Sequence, residues 1–164
     1  MTTTEELNQS VIRRLFHELV NTGDFAVVDD IYRPDVVDHQ PMPGAPAGRD
    51  GVRYTIAVLR ESFPDLHVTI DESYAYADRV TIRYTWRGTH TGELLGLAPT
   101  GRRIEYQGIA EWRLIDGLVA DRWDLGIESG ILPALGLGWL ARGRVRAGKV
   151  RSARARRRAE GTRR

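Results

Sequence analysis

Cysteine is absent from the chain, which removes disulfides, thiolate nucleophiles, iron–sulfur clusters and the usual structural zinc sites, and leaves the redox state of the compartment open. No apolar run approaches the roughly 18 residues that a membrane-spanning helix needs. The opening Met1-Thr2-Thr3-Thr4-Glu5-Glu6 has neither the basic nor the apolar stretch of a secretory signal, so a cytoplasmic location is the expectation. Histidine is scarce, with four in the chain, and no two stand in a His-X-X-X-His spacing; no metal is expected. Gly92-Glu93-Leu94-Leu95-Gly96 lacks the spacing and lysine of a phosphate loop, and no helix signal follows it.

What is present divides unevenly. Residues 142–164 carry 11 of the 24 Lys+Arg and one acid, Glu160, whereas residues 1–141 carry 13 basic and 21 acidic groups, a formal charge of −8. The body is therefore acidic, and the overall basic balance describes a tail. That tail has too few large apolar residues to bury and repels itself, so it reads as disordered or as a fraying helix. Weak attraction to nucleic acid or anionic surfaces is its functional reading, and a solvated tail beside an acidic body is the simpler one. The whole chain of 164 residues suits one domain, placed at 1–141, with the tail at 142–164.

Along the body, Leu7, Val11, Ile12, Leu15, Phe16, Leu19 and Val20 recur at spacings of three and four, which predicts an amphipathic helix over 5–20. A second helix over about 25–32 should stop at Arg33-Pro34, because proline lacks an amide donor and restricts its predecessor. Residues 36–39 follow as a short extended piece, 42–48 as a loop, and 49–63 as a third helix with Val52, Ile56, Leu59 and Phe63 on one face. From Leu66 the period changes to two, with strands at about 66–76, 79–90, 103–114 and 118–127 and a tight hairpin at Asp116-Gly117. This predicts an α+β fold in which a curved, mainly antiparallel sheet wraps a long helix and leaves an apolar cone open at one end, a natural place for a ligand. Residues 126–138, with Ile131, Leu132, Leu135 and Leu137, are expected to act as a lid or an interface.

The segments Tyr32-Arg33-Pro34-Asp35-Val36-Val37-Asp38-His39, Phe63-Pro64-Asp65-Leu66, Gly88-Thr89-His90-Thr91-Gly92, Pro99-Thr100-Gly101-Arg102 and Asp116-Gly117 followed by Trp123-Asp124 resemble, in order, the SnoaL-like polyketide cyclases of the nuclear-transport-factor-2-like superfamily. The resemblance covers about residues 5–137. It implies an α+β cone, a homodimer or homotetramer, and a cofactor-free intramolecular aldol condensation that closes a ring in a small hydrophobic or aromatic carbonyl substrate. Other members of the superfamily are epoxide hydrolases, isomerases, dehydratases and noncatalytic binders, so these stay open as alternatives.

Asp124 occupies the position that resembles the cyclases' catalytic aspartate, and His90 resembles the histidine of their Gly-X-His motif. An aspartate ordinarily titrates at about 4 and is a weak base for carbon acids, so burial in a dry cone is expected to raise it. The bland reading pairs Asp124 with Arg122 or Arg102 at the surface. His90 falls on the face of its strand shared by Val80, Ile82, Tyr84 and Trp86, where it can donate a hydrogen bond to a substrate oxygen or serve as a core histidine. His39 is expected at the mouth of the cone, and Trp123, Trp86, Tyr106 and Trp112 as aromatic walls against a planar ligand. His17 reads as structural and His67 as exposed. Glu105, Gln107 and Glu111 form a polar face expected to pair with Arg83 and Arg87. At Ala110 the family pattern can carry a second pocket histidine, so one polar contact is missing here.

Overall fold

A computed structural model describes residues 3–124 and 130–138; the basic tail at 142–164, and with it the domain boundary at 141, lies outside the described residues. Helix α1, Thr4–Arg14, opens on a reciprocal cap: the Thr3 hydroxyl accepts from the Glu6 amide at 3.2 Å and the Glu6 carboxylate accepts from the Thr3 amide at 2.9 Å. It runs on into a π-helical stretch, Leu15–Asn21. A short 3-10 turn, Phe25–Val27, leads into α2, Val28–Ile31. Then come β1 (Tyr32–Asp38), α3 (Gly48–Ser62), β2 (His67–Tyr76), β3 (Arg79–Thr89), β4 (Arg103–Ile115), β5 (Leu118–Asp124) and one helical turn, α4 (Leu132–Ala134).

The sheet order is β1-β5-β4-β3-β2. Strands β2 to β5 form the antiparallel meander that the period-two pattern predicts, and Asp116 and Gly117 both take positive φ, 52° and 77°, at the hairpin. The difference lies at the other edge. Tyr32-Arg33-Pro34, expected to end a helix, instead begins β1, which pairs in parallel with β5 (Val37 with Asp121, Asp38 with Arg122). Proline is tolerated there because β1 is an edge strand, and the register is irregular between Tyr32 and Val37. The sheet is thus mixed and open, and it remains the α+β arrangement expected.

One face of the sheet is covered by α1 and its π-helical extension. Ile12, Leu15, Phe16 and Leu19 meet Val80, Ile82, Tyr84, Trp86, Trp112 and Leu114 in one apolar core, which Ile131 and Leu135 join from the C-terminal side. Each fully buried aliphatic side chain contributes about 1.5–3 kcal/mol. The Asn21 side chain bonds both backbone groups of Val68, accepting at 2.7 Å and donating at 2.9 Å, and so ties the end of the π-helical stretch to β2. The opposite face is polar. Glu105 pairs with Arg87 as expected, but Glu111 pairs with Arg79 and Arg83 turns to Glu72. No helix among the described residues is long and apolar enough to cross a membrane.

Candidate active site

Cross-strand register decides which side chains meet. One row across the inner face reads Ser73, Ile82, Ala110, Asp124; the next reads Ala75, Val80, Trp112, Arg122, Asp38. Residues directly opposite in neighbouring strands share a face. Asp124 therefore stands inside, on the face of buried Trp112 and Ala110, and its side chain is 11% exposed.

Among the described residues, Tyr84 and Arg122 donate to its carboxylate. The Tyr84 hydroxyl donates to Oδ1 at 3.0 Å, and Arg122 Nη2 donates to Oδ2 at 2.6 Å. Arg122 Nη1 donates to Asp38 Oδ2 at 2.8 Å, so one guanidinium bridges two carboxylates. Burial opposes the charge on Arg122, but Asp124 and Asp38 outweigh it and raise its pKa further. The Asp124 backbone amide donates to Gln40 Oε1 at 2.8 Å. The aspartate thus pairs with Arg122, as the surface reading foresaw, but it does so on the inner face.

Tyr84 reaches Asp124 by crossing Gly108, its direct neighbour on β4. A Cβ at Gly108 would lie 2.4 Å from both Cζ and Oη of Tyr84, so only glycine leaves room for the phenol. A Cβ at Gly130 would meet the Tyr106 ring at 2.4 Å in the same way. Phe16, set by the π-helical turn, packs edge-on against Trp112 at 5.6 Å and tilts against Tyr84 at 6.2 Å. Burial, with Asp124 close by, raises the pKa of Tyr84 and of Tyr106 far above the ordinary phenol value, so both stay protonated.

Of the residues expected at the site, Asp124, Trp112, Tyr106 and Trp86 share the inner face, with Trp86 stacked on Tyr106 at 5.5 Å. The Trp112 indole N–H is buried and finds no partner among the described residues. His90 lies on the same face but six residues beyond Tyr84 along β3, about 20 Å at the rise of an extended strand. It is fully buried beside Phe63, and its Nδ1 accepts from the Thr100 amide at 3.2 Å, which leaves the proton on Nε2. Burial lowers its pKa, partly offset by the Gly92 carbonyl, and the ring is neutral. The structure does not bring His90 to Asp124.

His39 and Trp123 lie on the outer face. Their rings stack at 4.4 Å, Arg79 covers Trp123 at 5.1 Å, and His39 Nε2 meets Asp121 Oδ1 at 2.9 Å. Asp121 also accepts from Arg113 at 2.8 Å. The last residue of β1 and the one after it therefore grip β5 from both sides, Asp38 inside and His39 outside. His17 is exposed rather than structural, and His67 is exposed as expected. Among the described residues no group of three or more His, Asp or Glu is placed to hold a metal ion.

Of the side chains that surround Asp124, the sequence singled out neither Asp38 nor Gly108, and it gave Arg122 only as a surface partner and Tyr84 only as one of the apolar row on the His90 face. Two signals were available: Arg122 stands two residues before Asp124 on the same strand face, and a lone glycine inside a strand pattern marks a close approach.

The family model described as SnoaL-like polyketide cyclase matches residues 10–135. The chain belongs to the SnoaL-like polyketide cyclases. The match runs from α1 through α4 and takes in the whole Asp38–Arg122–Asp124 bridge. The chain is 29% identical over 124 residues to nogalonic acid methyl ester cyclase of Streptomyces nogalater, covering 73% of this chain and 90% of that one. Among solved structures it is similar to TsrD of Streptomyces laurentii (TM-score 0.73, 26% identity, 82% of this chain and 98% of that one) and to IdmH of Streptomyces antibioticus (TM-score 0.66, 30% identity, 79% and 98%). Within the family frame, Ala110 is the residue directly opposite Asp124, so a histidine at that position would stand against the carboxylate. Here the space beside Asp124 belongs to a methyl group and to the Tyr84 phenol.

Proposed function

We propose that this chain closes a ring in a polyketide-like carbonyl substrate by a cofactor-independent intramolecular aldol reaction, with Asp124 as the acid–base group. The observation that carries this reading is the inward, nearly buried carboxylate held by Tyr84 and Arg122. The carboxylate removes a proton from a carbon flanked by carbonyls, the resulting enolate attacks a second carbonyl, and the proton returns to the new alkoxide. The sequence is redox-neutral, so side chains alone can carry it. Tyr106, half-buried on the face that bears Asp124, supplies aromatic surface for a planar substrate, with Trp86 stacked against it and Trp112 in the core beneath. The outer face, where Ile109 and Tyr74 are exposed, supports a homodimer or homotetramer.

The test uses nogalonic acid methyl ester, the compound that names the relative at 29% identity. Purified protein without added cofactor should convert it to a ring-closed isomer of unchanged mass, followed by liquid chromatography and mass spectrometry. Asp124→Asn should slow closure by about 10²–10⁴-fold, the range of a positioned acid–base group. An Asp124→Asn protein that closes the ring at the wild-type rate rejects the reading.

A second reading has its own support. The Asp38–Arg122–Asp124 bridge is a carboxylate–arginine cluster of the kind that activates water against a strained ring, as in epoxide hydrolysis. Turnover of an epoxide in ¹⁸O-water with label in the diol favours it; unlabelled, ring-closed product favours the cyclase.

A further inference from the structure

Asp124 is held at its carboxylate by Tyr84 on Oδ1 and Arg122 on Oδ2, and at its backbone amide by Gln40. A carboxylate so held reaches one substrate atom well. An aldol closure asks for two, because the carbon that loses a proton and the oxygen that gains one lie at opposite ends of the bond being made. Tyr84 supplies the second position. Its hydroxyl is 3.0 Å from Asp124 Oδ1, its ring is 3% exposed, and the chain gives up a Cβ at Gly108 to let it cross there. Phe16 and Tyr106 pack against the ring, at 6.2 and 6.3 Å between centroids.

We infer that Tyr84 is a second catalytic residue, the acid that protonates the new alkoxide, while Asp124 serves as the base at carbon and then reprotonates Tyr84. The inference rests on the reading of Asp124 as the base. In the first half, the Asp124 carboxylate takes the proton of the activated carbon and the electron pair moves to the adjacent carbonyl oxygen. The enolate carbon then bonds to the second carbonyl carbon, whose π electrons pass to its oxygen. That alkoxide takes the proton of Tyr84, and the phenolate takes the proton now on Asp124 along the hydrogen bond already formed, which reverses its direction. One proton leaves carbon, one arrives at oxygen, and both side chains end as they began. An aldol alkoxide is a stronger base than a phenolate, so it can take the proton even from a phenol that burial keeps protonated. The phenol also stands where the family pattern can place a histidine, next to Ala110, so the polar contact missing at 110 is met from β3.

The two roles separate in one experiment, using nogalonic acid methyl ester in deuterium oxide and measuring both deuterium uptake at its activated carbon and ring closure. Asp124→Asn should lose both. Tyr84→Phe, which keeps the ring and its packing, should keep deuterium uptake within about threefold and lose at least about 100-fold in closure with KM little changed. 3,5-Difluorotyrosine at position 84 keeps shape and hydroxyl; it should restore closure and bring an alkaline limb down in pH, a shift that a merely structural role would not produce. Wild-type closure by Tyr84→Phe, or equal loss of uptake and closure, overturns the assignment of Tyr84 and leaves Asp124 standing. A wild-type protein that shows neither uptake nor closure overturns the reading of Asp124 and this inference with it.

Discussion

Replacing Arg122 by methionine tests the electrostatic centre of the site. The guanidinium stands 2.8 Å from Asp38 and 2.6 Å from Asp124, and the three side chains are 23%, 23% and 11% exposed. Methionine keeps the length of the stem and removes the charge, which strands two carboxylates near one another. Breaking a buried pair from one side costs about 3–5 kcal/mol. Partial water access to Asp38 puts the expected loss at the lower end, about 3 kcal/mol. Urea unfolding followed by tryptophan fluorescence should show the midpoint falling with little change in slope. The melting temperature should drop by roughly 6–12 °C, at about 2–4 °C per kcal/mol for a chain of this size. Adding Asp38→Asn to Arg122→Met removes one stranded charge and should recover at least about 1 kcal/mol. Arg122→Lys, which keeps charge but cannot fork to both partners, should fall between. An Arg122→Met protein within about 1 kcal/mol of wild type would refute the argument, because the bridge would then be a solvated contact.

Two further outcomes follow from the same geometry. Gly108→Ala brings a Cβ to 2.4 Å from the Tyr84 hydroxyl and should push the phenol off Asp124, with an overpacking cost of about 1–3 kcal/mol and a loss of ring closure like that of Tyr84→Phe, measured by the same chromatographic assay. For His90, the folded pKa is lowered by burial, so its contribution to stability is complete above the unfolded value of about 6.5 and is lost as pH falls through the folded value. Urea midpoints measured between pH 7.5 and 5 should decline in wild type and decline less in His90→Asn; parallel declines would mean that His90 is not the group responsible.

The antiparallel meander was readable because β3 and β4 alternate strictly, and Asp116-Gly117 states its turn in two residues. Strand β1 was not readable in its place. Pairing with β5 is a contact between distant segments, and Arg33-Pro34 carries a local signal for ending a helix that says nothing of a parallel edge. Alternation separated Asp124 from Trp123 without saying which was inside; the answer comes from register, since Asp124 stands opposite buried Ala110 and Trp123 opposite Glu111. The same register takes His39 and Trp123 to the outer face and away from the carboxylate. His90 was placed on the correct face but at the wrong height, because sharing a face says nothing about distance along a strand. The π-helical turn that sets Phe16 has no signature in a pattern of apolar residues spaced three and four apart.

The strap from Asp38 to Gln40 carries a kinetic consequence. Asp38 meets Arg122, and Gln40 meets Asp124, across 84 residues of sequence, and His39 meets Asp121 across 82. Contacts of that span close late, after the local hairpins have formed, because the loop entropy must be overcome before they contribute. Hydrogen exchange of β1 amides and loss of the Asp38–Arg122 pair then share one opening equilibrium: when the edge strand lifts, Asp38 parts from Arg122 and Gln40 from Asp124, while Arg122 and Asp124 stay together on β5 in the folded meander. The last part of the sheet to assemble is the part that completes the grip on Arg122 and Asp124.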